Sequence, residues 1–160
     1  MNEANQPKFI EIVGDTEAFR LMLEGALGTW SGAYDVLLAD TNEYLYHART
    51  GQRFCPFCRA LRQNPAGDAL CRKSDESFAK HIQESKQPYL IFACHAGLTD
   101  VAVPIRVNDK LIATIFFGQV LLNEGDQRDA LRRRAGELEQ TLNIDAGKLT
   151  GQVEQVRVVE

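Results

Sequence analysis

Hydrophobic positions change their spacing several times along the chain, and each change marks an element. Phe9–Val13 is a short apolar piece behind a polar start. From Asp15 onward, Phe19, Met22, Leu23, Ala26, Leu27 and Trp30 recur at helical intervals. That spacing predicts a helix capped by Asp15 or Thr16. Two β-rich runs, "AYDVLLAD" and "EYLYHA", flank the turn residues Thr41–Asn42 and predict a hairpin. "CPFCRALRQ" predicts a short helix with Pro56 in its first turn. "NPAGDALCRKSDESFAKHIQESK" predicts a longer one, with Asn64 as cap, Pro65 as first residue, and Leu70, Phe78 and Ile82 on its apolar face. Three strands follow: "PYLIFACH", "LTDVAVPIRV" and "KLIATIFFGQVLL". Asn108–Asp109 makes a tight turn between the last two. Gly118 interrupts the last strand, which predicts a bulge or a close approach there. Residues 125–142 and 145–157 read as helices.

Strands and helices do not alternate, which argues against a parallel doubly wound sheet. The order predicts an α+β, PAS/GAF-like fold: about five strands, mainly antiparallel, with packed helices and a helical insertion between strands 2 and 3. The 160 residues suit a single domain.

Composition narrows the function. The chain is 44% hydrophobic and 25% charged, with net charge −4. This is a globular composition, and its acidic balance argues against a direct nucleic-acid partner. The run Arg132–Arg134 sits among acids and reads as a solvated helix face. No apolar leader opens the chain, and "LIATIFFGQVLL" is too short to span a bilayer. A cytoplasmic protein without a membrane partner is expected. No phosphate-cradling loop, G-x-S-x-G or HExxH pattern occurs, so an enzyme is not expected.

All four cysteines fall between residues 55 and 94. In a reducing cytosol, such clustering points to metal or catalysis before structural disulfides. Cys55 and Cys58 have Cys-x-x-Cys spacing; Cys71 lies in the next helix, and Cys94 ends a strand. Four thiolates from several elements can ligate a 4Fe-4S cluster or close a tetrahedral zinc site. One close pair and two single cysteines favour the iron–sulfur cluster, with zinc as the alternative. Two blander readings stand beside these: Cys71 and Cys94 as ordinary core residues, and Cys55–Cys58 as the dithiol of a thiol oxidoreductase. His95, next to Cys94, is a metal ligand, a pocket donor, or simply a turn residue with Gly97. Adjacent strand residues point to opposite faces, so a Cys94–His95 dyad is not expected. Asp100 faces one side of its strand and Val101 and Val103 the other; it meets either water or a polar ligand.

"CRALRQNPAGDALCRKSDESFA" followed by "CHAGLTDVAVPIRVNDKLIATIFFGQVL" resembles the PocR sensory domain family of bacterial signalling proteins. The likeness is close over 54–122, and extends over 15–50 and 123–157 in layout. Cys58, Cys71, Cys94, His95, Gly97, Asp100, Pro104, Gly118 and Gln119 match its pattern. The chain departs from it at Asp40–Thr41–Asn42, where a Gly turn is expected, and at Ala113, where Gly is expected.

The resemblance implies a ligand- or cofactor-binding input domain that controls an attached output domain: a transcription regulator, histidine kinase or diguanylate cyclase. Cys55, Cys58, Cys71 and Cys94 are the expected metal ligands. His95, Asp100, Gln119, Phe92 and Phe117 are the expected ligand-binding residues. A small organic ligand sensed with structural zinc, or without metal, is the alternative. The expected partners are the output domain and a second copy meeting through the terminal helices.

Overall fold

A computed structural model describes residues 8–27, 33–45, 54–122 and 126–159. The elements run α1 (Phe9–Val13), α2 (Thr16–Leu27), β1 (Tyr34–Leu38), α3 (Pro56–Arg62), α4 (Pro65–Ser85), β2 (Leu90–Ala93), β3 (Thr99–Val107), β4 (Lys110–Leu122) and α5 (Asp126–Thr141). A 3-10 turn, Thr150–Gln155, and β5 (Val158–Val159) close the chain. The fold is α+β. Strands β1, β4, β3 and β2 lie side by side in that order, all antiparallel, and β5 pairs parallel with the end of β4.

Local chemistry sets the boundaries. Asp15 Oδ1 accepts from the Glu17 and Ala18 N–H groups at 2.9 and 3.0 Å and starts α2. Asn64 Oδ1 does the same for Ala66 and Gly67, both at 3.0 Å, and Pro65 fills the first position of α4, where no amide partner is needed. Gly67 is packed so tightly that an added Cβ would lie 2.3 Å from the Leu61 carbonyl oxygen, which holds α3 against α4. Asn108 and Asp109 both take positive φ, as the tight turn between β3 and β4 requires.

The sheet is covered on both faces. On one, Phe9 of α1 and Leu23 of α2 pack against Tyr34, Val36, Leu38 and Ala113. On the other, Ala79 and Ile82 of α4 pack against Leu37, Phe92, Ala102 and Phe116. A third cluster joins α3, α5 and the 3-10 turn through Phe57, Leu61, Leu131, Leu138, Leu149 and Val153, and includes Cys58 and Cys71. Among the described residues no helix is long and apolar enough to cross a membrane.

The predicted hairpin is present in its described part, where Tyr44 bridges Leu37 antiparallel, the Leu38 N–H donates to the Glu43 carbonyl at 2.9 Å and the Leu45 N–H to the Val36 carbonyl at 2.8 Å; residues 46–48 lie outside the described residues, as does Trp30. The insertion therefore follows β1 and that bridge. One expectation is corrected. The predicted helix over 145–157 is instead turns and a 3-10 segment, Thr150–Gln155, and a strand follows it at Val158–Val159. Buried Glu139 accepts the N–H groups of Leu149 and Thr150 at 2.7 and 2.8 Å, which starts a tight turn. The β-branched pair Val158–Val159 then aligns with Leu121–Leu122. The fifth strand thus comes from the end of the described chain.

Candidate functional site

Three elements converge where the insertion meets the sheet. Cys55 is the N-cap of α3, and its Sγ accepts the Cys58 N–H at 3.4 Å. Cys71 lies on the buried stripe of α4 formed by Gly67, Cys71, Asp75, Ala79 and Ile82. Cys94 opens the turn after β2, where its carbonyl accepts the Gly97 N–H at 2.9 Å and Gly97 takes φ +93°. All four cysteines are free thiols. Cys58, Cys71 and Cys94 share one cavity of ≈30 Å³ with Arg62, Asp75, His95, Asp100 and Gln119. That is about the room one water occupies.

Burial and mutual contact set the thiol chemistry. Contact with Cys58 holds the Cys55 thiol below its usual range. The same contact, then burial and the nearby Cys94, push Cys58 well up. Burial pushes Cys71 and Cys94 up to about 12, with Asp100 adding to both. Asp100 lines the same cavity as Cys58, Cys71 and Cys94, and its charge raises all four thiols. Its own carboxyl is raised to about 7, first by burial and then by Asp75.

A β-bulge presents Asp100. Gln119 is the extra residue of β4 opposite Thr99–Asp100, with φ +61°, and Gly118 before it has φ +142°. A Cβ on Gly118 would lie 2.7 Å from the Thr99 carbonyl oxygen and 2.8 Å from Asp100 Oδ1, so the position needs glycine. The Gln119 N–H donates to Asp100 Oδ1 at 2.8 Å, and Gln119 Oε1 accepts the Cys55 N–H at 2.9 Å. One residue thus ties Asp100 to the backbone at the start of α3.

His95 reaches Cys71, with Nε2 3.2 Å from Sγ. Burial, then Arg134 and Arg62, lower its pKa to about 4, so the ring is neutral near pH 7. Its Nδ1 is buried with no partner among the described residues. Arg134 donates to the His95 carbonyl at 3.1 Å, so this member of the basic run anchors the turn instead of only facing water.

A second cavity of ≈30 Å³ adjoins the first and shares Arg62, Asp75, Asp100 and Gln119 with it. Asp35, Phe54 and Phe116 complete much of its wall. Arg62 Nη2 donates to Asp75 at 3.0 Å and Nη1 to Asp68 at 2.9 Å. The Tyr44 hydroxyl donates to Asp75 at 2.6 Å. Burial raises Asp75 despite Arg62.

The structure therefore brings Cys55, Cys58, Cys71, Cys94, His95, Asp100 and Gln119 together. Phe92 and Phe117 lie outside the thiol-lined cavity. Phe92 shares a face with Asp100, but its ring stacks on Phe78 at 3.6 Å and it lines neither cavity. Phe117 pairs with Tyr34 and Val101, packs toward the α1–α2 layer and borders only the second cavity. Arg62, Asp75, Tyr44 and Asp35 were missed by sequence reasoning. The i, i+4 stripe through Gly67, Cys71 and Asp75 is the signal that would have found Asp75.

The fold and this centre define a class: an α+β domain whose open sheet and helical insertion enclose a polar, thiol-lined core. The family model described as the sensory domain found in PocR matches residues 36–160, and the chain belongs to that family. Over 70 residues it is 40% identical to the regulatory protein PocR of Salmonella typhimurium strain LT2, a match covering 44% of this chain and 23% of that relative. The matched segment is thus less than a quarter of the relative's length. No solved structure is a significant match.

Proposed function

We propose that this sensory domain is the input part of a longer regulatory protein and that its four cysteines hold an iron–sulfur cluster whose state is the signal. The observation that supports the reading is that Cys58, Cys71 and Cys94, from separate parts of the fold, line one cavity with Asp100, while Cys55 caps α3 against Cys58. Soft thiolate donors suit such a cluster, and the unpartnered Nδ1 of His95 adds a further unused polar atom beside them. Among the described residues, no group of three or more His, Cys, Asp or Glu is set to hold a metal ion. A single zinc needs four donors at bonding distance from one point. A four-iron cluster takes one thiolate per iron, so a wider spread of sulfurs suits it better. Zinc is the alternative occupant.

The cavity's small volume supports coupling between occupancy and shape. Anything larger than a water must move α3 and α4 against the sheet. Gln119 would carry that movement into β4, whose Leu121 N–H is held by the Arg157 carbonyl at 2.9 Å. An output domain attached to the chain, and a second copy meeting it through the terminal helices, complete the proposed assembly. Free thiols suit a reducing compartment, and we place the protein in the cytoplasm.

The lowered Cys55 thiol in contact with Cys58 favours one competing reading, a Cys-x-x-Cys oxidoreductase. Single serine variants separate the two. The cluster reading expects loss of bound iron in each of Cys55→Ser, Cys58→Ser, Cys71→Ser and Cys94→Ser, made and purified without oxygen. A disulfide reductase activity that needs only Cys55 and Cys58 would reject it.

A further inference from the structure

A larger cavity, ≈290 Å³, opens between α4 and the β1–β4 side of the sheet, away from the thiols. Its floor holds an unexplained group. Thr114 is 1% exposed, and its hydroxyl has no partner among the described residues. On its face of the sheet Thr114 stands between Leu37 and Pro104, neither of which offers a polar side chain. A buried hydroxyl without a partner is unfavourable. Leu37, Ala79 and Leu111 supply apolar wall. At the mouth, Glu76 accepts from Asn42 Nδ2 at 2.7 Å. Lys80, also at the mouth, makes no ion pair among the described residues.

We infer that this groove is a binding site for a short hydroxycarboxylate. Its hydroxyl meets Thr114, its few methylenes cover Leu37, Ala79 and Leu111, and its carboxylate lies by Lys80. The volume is near the lower end for small-molecule sites, which fits a ligand of this size. The inference does not depend on what the thiols hold.

The test is titration of the whole chain with γ-hydroxybutyrate, followed by amide NMR, with butyrate and n-butanol as comparisons. The inference expects saturable shifts around Leu37, Ala79, Lys80 and Thr114, and tighter binding of γ-hydroxybutyrate than of either comparison. Thr114→Val should weaken γ-hydroxybutyrate about tenfold, as for one lost hydrogen bond, and leave butyrate unchanged. Lys80→Ala, on the exposed face of α4, should weaken both acids and leave n-butanol unchanged. No saturable shift, equal affinity for all three probes, or shifts centred on Cys58, Cys94 and Asp100 would overturn it.

Discussion

Replacing Arg62 by methionine removes the arginine that, among the described residues, reaches both Asp68 and Asp75, while keeping much of the stem volume. The two carboxylates lose different amounts. Asp68 keeps Arg72, whose Nε lies 2.9 Å away. Asp75, whose side chain is 13% exposed, keeps only the Tyr44 hydroxyl, at 2.6 Å, among the described residues. Removing one partner of a buried ion pair strands the other charge, at a cost of about 3–5 kcal/mol. Arg62 also packs over the Phe54 ring at 5.0 Å, a contact methionine keeps only in part. The loss should depend on pH. Burial already raises Asp75, and removing Arg62 raises it further. A carboxyl raised in the folded state contributes stability that is complete below its unfolded pKa of about 4 and is lost as pH rises through the folded value. Urea denaturation of the metal-free protein at about pH 5 and about pH 8 should therefore show the larger deficit at the higher pH. Adding Asp75→Asn to Arg62→Met should recover about 2 kcal/mol at the higher pH, because no charge is then stranded. A single variant within about 1 kcal/mol of the parent, or a double variant no more stable than the single, would refute the reasoning.

Three other outcomes are expected. Gly118→Ala forces a side chain onto φ +142° and against Thr99, and should cost at least 1–3 kcal/mol by thermal or urea denaturation; an unchanged stability would mean the bulge is built differently. Asp100→Asn should abolish a fall in stability of about 1.4 kcal/mol per pH unit between about pH 4 and 7, since the raised carboxyl favours folding only while protonated; superimposable pH profiles for parent and variant would contradict this. Glu139→Gln should weaken the charge-assisted bonds to Leu149 and Thr150, cost about 1–2 kcal/mol and speed amide exchange in the Thr150–Gln155 turn; unaltered exchange would show that the turn is held by other contacts.

Much of the fold was readable because the signals are local. Asp15 and Asn64 cap helices, Asn108–Asp109 turns the chain, and alternation along "LTDVAVPIRV" puts Asp100 opposite Val101 and Val103. Gly118 marked the bulge for the same reason. The C-terminal strand was hidden because nothing near Val158–Val159 reveals that its partner is Leu121–Leu122. The hidden helix break there depends on Glu139, ten residues before Leu149. In the site, spacing brought the four cysteines to notice, but the acids and Arg62 around them escaped it. Asp75 looks like one more charge on a polar helix until α4's buried stripe is seen. Phe92 and Phe117 were selected for residue type and strand position; Phe92 stacks on Phe78, while Phe117 packs toward the α1–α2 layer and also lines the second cavity. The Cys–His contact also formed through a helix, from Cys71 and not from the neighbouring Cys94.

The measurement that tests the central claim most directly is the absorption spectrum of the whole chain purified without oxygen, with iron, sulfide and zinc determined on the same sample. A brown protein is expected, with a broad band at about 400 nm, iron and sulfide in equal amounts, and bleaching in air. A colourless, folded protein free of iron and sulfide would contradict it, and stoichiometric zinc in that sample would assign the four cysteines to a structural ion instead.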